Sequence, residues 1–355
     1  MGGIEKRPAR HTLRPADWRV ALADGRSCRI DNPGSTTTMK VLVADELSPE
    51  GLEILRSTPE LSVEVKLGLA PSALKAIAGQ YDVLAVRSAT RVTAEVLENP
   101  GRLKLIGRAG VGVDNIDVEA ATRKGVVVMN TPGGNSVAVA ELTMGLMLTL
   151  LRQLVPAISS TRSGRWEKKR FAGGHELFRK TVGLVGFGSV GQIVAQRCIA
   201  FGTTVIAYDP HPAEASRRLG VQIVQLEELF RRADIVSLHV PLMDNTRNLV
   251  SRSLLGRMRK GSYLVNCARG GIVDEAALAD ALRDGTLAGA AMDVFATEPV
   301  PPDHPLLSLE SFLATPHLGA STEEGQLACA SQLAEQLVEY ARTGHVRHAL
   351  NAPGR

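Results

Sequence analysis

The stretch TVGLVGFGSVG (181–191) decides the fold. TVGLV is an apolar, β-branched run of strand length, and it leads into GFGSVG, a GxGxxG pattern made by Gly186, Gly188 and Gly191. The following SVGQIVAQRCIAFG has helical spacing, so the glycines lie between a strand and a helix. In such a loop the first glycine permits a tight turn, the second lets backbone amides approach a pyrophosphate, and the third lets helix and strand pack closely. Phosphate oxygens then meet the helix N-terminus, at Ser189 and Val190. Asp209 ends the next strand-like run, TTVIAYD, 18 residues after Gly191. A carboxylate there accepts hydrogen bonds from an adenosine ribose and repels an added 2′-phosphate, which favours NAD over NADP.

The same strand–helix rhythm extends in both directions. Upstream, KVLVAD (40–45), VEVKLG, VLAVRS (83–88), LKLIGRAG (103–110) and VVVMN (126–130) read as strands separated by amphipathic segments. Downstream, VQIV, DIVSLHV (234–240), SYLVNCA (262–268), AGAAMDVF (288–295) and FLATP (312–316) continue the pattern. Continuous apolar strands alternating with helices indicate parallel sheets covered on both faces. Between the two series, AVAELTMGLMLTLLRQLVPAISSTRSG (138–164) is the longest helical pattern, with Ser136 as its expected N-cap and Pro156 expected to kink or end it. A last helix is expected over 321–344, opened by Ser321 and two glutamates.

A chain of 355 residues, 44% hydrophobic, is long enough for two domains with separate cores. No apolar run approaches the roughly 20 residues of a membrane helix; the richest, 142–155, is interrupted by Arg152. Residues 1–38 carry seven Lys/Arg and four Asp/Glu, so +3 of the net +4 lies there and +1 remains for the body. That balance gives no reason to expect a nucleic-acid partner. Four scattered cysteines (28, 198, 267, 329) imply neither a disulfide framework nor a metal site, and suit a reducing, cytoplasmic setting. Residues 1–38 read as an irregular, disordered leader, or as an over-long start with Met39 as the natural first residue.

A nicotinamide cofactor implies hydride transfer, which at a hydroxyl or carbonyl carbon needs a proton acceptor or donor and a fixed charge at the oxygen. Open α/β sheets bind ligands at the carboxyl ends of their strands. There the sequence offers Arg269 in NCARGG, Asp293 and Glu298 in AMDVFATEP, and His317 in PHLGAST. A carboxylate beside His317 would hold its tautomer, and Arg269 offers planar recognition of a substrate carboxylate.

VNCARGGIVDE, AAMDVFATEP and TPHLGAST, with GRAGVGVDNID (107–117) and MNTPGGNSVAVAELT (129–143), resemble the D-isomer-specific 2-hydroxyacid dehydrogenases, and within them the D-3-phosphoglycerate dehydrogenases. The resemblance runs from about Lys40 to Pro353. It implies an α/β chain of two Rossmann-like domains, a flavodoxin-like substrate domain (39–137 and 319–350) and an NAD-binding domain (138–318), with the active site in the cleft between them. His317 would be the acid/base, Glu298 its partner, and Arg269 the anchor of the substrate carboxylate and carbonyl. Asp293 would lie against the nicotinamide, with Ala268 also in the cofactor site, and the backbone of Val111 and Gly112 would hold the substrate carboxylate. Arg87, Ser88 and Arg108 would clamp a phosphate. The implied reaction is NAD-dependent oxidation of 3-phospho-D-glycerate to 3-phosphohydroxypyruvate, the first step of serine biosynthesis. A reductase of hydroxypyruvate, glyoxylate or another 2-keto acid is the alternative, and an NADH-sensing co-repressor is a third reading. No regulatory domain follows the last helix in this sequence, so feedback inhibition by serine is not expected. The helix at 138–155, apolar nearly all round, leads us to expect a homodimer or homotetramer.

Overall fold

The structure, a computed structural model, describes residues 26–29, 38–211 and 214–351. Its first strands are β1 (Arg26–Arg29), β2 (Met39–Val43), β3 (Leu61–Val65), β4 (Val83–Val86), β5 (Leu105–Arg108), β6 (Val127–Met129) and β7 (Thr181–Val185). The rest are β8 (Thr204–Tyr208), β9 (Gln222–Ile223), β10 (Ile235–Leu238), β11 (Ser262–Asn266), β12 (Leu287–Met292), β13 (Phe312–Ala314) and β14 (His345–Ala349). They form two sheets, ordered β1-β14-β6-β5-β4-β2-β3 and β13-β12-β11-β10-β7-β8-β9. The second is parallel throughout. Its strand order reverses between β7 and β10, which opens a crevice where the glycine loop emerges. The first sheet reverses in the same way between β2 and β4, beside Arg87. The inner strands β4 and β10 are buried at every residue, as sheets covered on both faces require.

The chain passes between the sheets at 130–136 and again at 315–322. After the first passage the helix Ser136–Leu151 packs on the second sheet, Met144, Met147 and Leu151 sharing a core with Val182, Leu184 and Val265. After the second, the helix Glu323–Thr343 returns to the first sheet, and Leu333 and Leu337 join Leu105 and Met129 in its core. Thr322 caps this helix by accepting from the Gly325 amide, and Gly344 ends it at φ 69°. The two passages thus frame the carboxyl ends of both sheets.

Five expectations need correction. The last helix opens with Thr322, not Ser321, at its N-cap. The first inter-sheet helix has Asn135, not Ser136, at its N-cap, and Ser136 is its first helical residue. It stops at Leu151, and a second helix, Leu154–Arg162, follows at a bend of 67°. The break is at Gln153 (φ 49°), before Pro156, which occupies the first turn of the second helix. In a continuous helix the Pro156 ring would strike the carbonyl of Arg152, so the chain turns before the proline rather than at it. As a result the longest helix is Glu323–Thr343. Finally, residues 26–29 of the expected irregular leader form an edge strand, because β14 offers them an unpaired edge and the two run antiparallel; the rest of the leader, 1–25 and 30–37, lies outside the described residues.

Leu333 is fully buried, and its Cδ1 fills the space beside Gly107. Leu333→Ala should lower the unfolding free energy of the chain by about 3 kcal/mol in urea titration, the usual cost of a cavity that neighbours cannot fill. A cost under 1 kcal/mol would show that the helix is not integral to the first sheet.

Candidate active site

His317 follows β13 with φ 55°, a left-handed conformation that a non-glycine residue keeps only when its surroundings impose it. The surroundings are Asp293. Its backbone oxygen accepts from the His317 amide at 2.9 Å. Its carboxylate, 1% exposed, accepts from the Thr315 hydroxyl (2.6 Å) and from the amides of Leu318 (2.7 Å) and Gly319 (2.8 Å). The turn held in this way leaves the imidazole half exposed, with Nδ1 2.8 Å from Glu298 Oε2. The other Glu298 oxygen accepts from the Phe295 amide at 2.9 Å. An ionised carboxylate only accepts, so the shared proton sits on Nδ1 and the Nε2 lone pair remains to take a proton.

Arg269 follows β11, and its loop is set by Asn266. That buried amide accepts from the Ala268 amide and donates to the Arg269 carbonyl, both at 3.0 Å. The guanidinium Nη1 donates to the Ala268 carbonyl at 2.6 Å. Nε reaches across from the second sheet to Asp114 Oδ2, 2.8 Å away on the loop after β5. Gly112 lies on the same loop, where a Cβ would collide with Arg269 Nη2, so the cation rests on the backbone at Gly112, next to Val111. The buried Asn130 fixes that backbone by donating to the Val111 carbonyl at 2.6 Å. Gly270 presses on the Phe295–Ala296 peptide, which joins the Arg269 loop to the loop of Glu298.

Arg108 and Arg87 end β5 and follow β4, adjacent strands in register. Arg108 is partly buried: desolvation, then the Arg269 charge, push its guanidinium down to about 10, and it stays charged at neutral pH. Its Nε donates to Asn115, whose amide in turn donates to the carbonyls of Arg87 and Thr90. Burial raises the Cys329 thiol on the last long helix, while Thr131, Arg108 and Arg87 oppose that rise. The Arg87 guanidinium nevertheless donates to the Glu46 carbonyl and to Gln326. It borders a cavity of about 510 Å³ that Glu46, Glu50, Glu323 and Glu324 also line. Ser88 beside it is exposed.

At the glycine loop, Gly186 has φ 99°, and a Cβ there would lie 2.5 Å from the His239 carbonyl. Gly188 faces open space, and Gly191 packs directly on the Gly186 carbonyl. Ser189 and Val190 begin the helix Ser189–Ala200. This is space for a bound pyrophosphate at a helix N-terminus. Asp209 is 3% exposed, its carboxylate accepting from the amides of Phe187 and His211 at 2.8 Å, so it ties β8 to the glycine loop.

Two of the expected roles shift in emphasis. Asp293 and Asp209 are both buried and both engaged by backbone amides, so each first shapes a loop. Asp114, Asn115 and Asn266 were not expected among the site residues. Their only signal is polarity inside otherwise apolar or glycine-rich strand ends. Among the described residues no group of three or more His, Cys, Asp or Glu could hold a metal ion.

The geometry has known counterparts. Residues 144–319 match the NAD binding domain of the D-isomer specific 2-hydroxyacid dehydrogenases. A D-3-phosphoglycerate dehydrogenase of Methanocaldococcus jannaschii is 48% identical over 317 residues, 89% of this chain and 60% of that protein. The TT0316 protein of Thermus thermophilus superposes with a TM-score of 0.77 at 38% identity, over 84% of this chain and 96% of that one. A glyoxylate reductase from Paecilomyes thermophila gives 0.81 at 28% identity, over 88% and 98%. The chain belongs to the D-isomer specific 2-hydroxyacid dehydrogenases. It spans 60% of the length of its archaeal relative.

In this chain His239 lies under the glycine loop, Nε2 3.0 Å from Ser237 Oγ. Burial pushes its imidazole down to about 4, so no imidazolium sits below the phosphate space at neutral pH. An unfolded imidazole takes a proton below about 6.5. Between that pH and about 4 the unfolded chain therefore binds the extra proton, and folded stability falls as pH falls. The gap corresponds to about 3 kcal/mol. Thermal unfolding of His239→Asn should depend less steeply on pH across this window than wild type; equal slopes would exclude His239 as the group.

Proposed function

We propose that the chain oxidises 3-phospho-D-glycerate to 3-phosphohydroxypyruvate with NAD, as a cytoplasmic homodimer or homotetramer. The observation that carries the reaction type is the His317–Glu298 pair, 2.8 Å apart, one loop away from Arg269. The substrate rests on the curated relatives, which bear the name D-3-phosphoglycerate dehydrogenase. NAD, when bound, supplies the acceptor for the C2 hydride. The glycine loop gives its pyrophosphate room, and the carboxylate of Asp209 disfavours a 2′-phosphate.

In this reading Arg269 and the Val111–Gly112 backbone hold the substrate carboxylate, and Asp114 keeps the guanidinium turned toward that backbone. His317 Nε2 takes the hydroxyl proton, and the Glu298 carboxylate opposes the charge the ring acquires. Asp293 keeps the ring in place during the transfer. Arg108, with Arg87 and Ser88, receives the phosphate. For oligomerisation the support is a set of exposed apolar residues, Val137, Leu154, Val155 and Ile158, along the bent helix pair.

One observation favours the second reading, a reductase of unphosphorylated 2-keto acids such as glyoxylate or hydroxypyruvate. The glutamates around Arg87 oppose a phosphate at that point. Arg87→Ala and Arg108→Ala separate the two. A phosphate clamp predicts that kcat/KM for phosphohydroxypyruvate falls ~30-fold or more, as expected for loss of a charge-assisted bond, while that for glyoxylate changes little. Equal effects on both substrates would favour the second reading.

His317→Ala should keep NADH binding while turnover falls by ~10²-fold or more, the usual effect of removing a general base. Near-normal turnover would overturn the assignment of His317.

A further inference from the structure

Glu298 can serve His317 only if its own loop is held, and the loop is held from outside the site. Glu275 begins the helix Glu275–Arg283 and is largely buried, its side chain 14% exposed. Its Oε1 accepts from the Ala296 amide at 2.7 Å. The preceding amide, Phe295, donates to Glu298 Oε1 at 2.9 Å. Two consecutive amides are thus taken by two different carboxylates, one on the helix and one facing the histidine. The peptide between them is the one on which Gly270, the neighbour of Arg269, packs without room for a Cβ.

Glu275 is itself fixed. Its Oε2 lies 3.0 Å from His304 Nε2, and His304 Nδ1 accepts from the Leu306 amide at 3.4 Å. Those partners require the proton on Nε2 and the lone pair on Nδ1. The His304 ring stands edge-on to Phe295, their centroids 5.9 Å apart, and Phe295 meets Phe312 of β13 in the same manner. The segment 295–304 is clamped at both ends by one carboxylate, with Glu298 between them.

We propose that Glu275, oriented by His304, is a positioning residue for the Glu298–His317 pair and acts through the Phe295–Ala296 peptide. This rests on the acid–base reading of His317 given above. A carboxylate at this point limits the swing of Glu298 and keeps the Arg269 loop in register with it, so both arms of the site share one support.

The test uses the full chain with 15N-labelled histidine and follows the Nδ1–H proton of His317, assigned by its absence in His317→Gln. In Glu275→Ala this signal should exchange with water at least tenfold faster, approaching its behaviour in Glu298→Ala, and the Ala296 amide, followed in a uniformly 15N-labelled sample, should lose protection. Glu275→Gln, which keeps an acceptor for that amide, should retain the signal within twofold of wild type. In kinetics, Glu275→Ala should lower kcat about tenfold with NADH affinity unchanged, and should add little in a Glu298→Ala background, as for two residues acting on one function. Should Glu275→Ala not fold, Glu275→Asp, one methylene short of the Ala296 amide, carries the same expectation. An unchanged Nδ1–H signal, or independent multiplication of the two kinetic effects, would overturn the proposal. If the wild-type chain turns over no 2-hydroxy acid, the catalytic reading fails, while the exchange measurement still decides the role of Glu275.

Discussion

A buried carboxylate without donors is costly, and Asp293 meets that constraint by drawing a loop around itself. Three donors from residues 315–319 converge on its two oxygens, and its own carbonyl takes the His317 amide. Hydrogen bonds to an ionised group are worth roughly 1.5–3 kcal/mol each. Together they exceed the 1–3 kcal/mol that an unfavourable backbone conformation at His317 costs. The loop therefore cannot relax without stripping the carboxylate, and the imidazole inherits the rigidity of β12. The same loop is one of the two passages between the sheets, so the constraint that places the histidine also helps to fix where the first sheet stands.

Much of this arrangement is legible in the sequence, for a definite reason. Glycine spacing, strand periodicity and the position of polar residues at strand ends are local properties. Gly186 and Gly191 are required by contacts within a few residues or with the adjacent strand, and the pattern GFGSVG records them. His317, Glu298 and Arg269 were drawn together by a need for acid–base chemistry and by family resemblance, and the pairing of His317 with Glu298 spans only 19 residues along the chain. Asp293 shows the limit. Nothing in AMDVFATEP reveals that its carboxylate faces backbone amides more than 20 residues ahead. Such partners carry no side-chain signature. Asp114 and Asn130 are hidden for the same reason, since their partners lie in another sheet or on a neighbouring backbone. The break at Gln153 is a different failure: proline marks that a helix must be interrupted nearby, but the residue that turns is chosen by the carbonyl the ring would strike.

The cationic side of the cleft is built against its own stability. Arg108 is partly buried close to Arg269, and both desolvation and like charge work against its guanidinium. Asp114 offsets part of that repulsion from the solvent side, where its side chain is 54% exposed. An anionic ligand with more than one charge would offset the remainder from within the cleft. Binding free energy would then be drawn from repulsion already present between these cations, in addition to new contacts. Because Asp114 follows a strand of the first sheet and Arg269 one of the second, the ion pair also ties the relation of the two sheets to the orientation of the Arg269 guanidinium. On the proposed reading, a dicarboxylate or phosphorylated acid would sense both arginines, whereas a small keto acid would sense chiefly Arg269. On that reading, discrimination between such substrates would reside in Arg108, and in Arg87 behind its acidic neighbours.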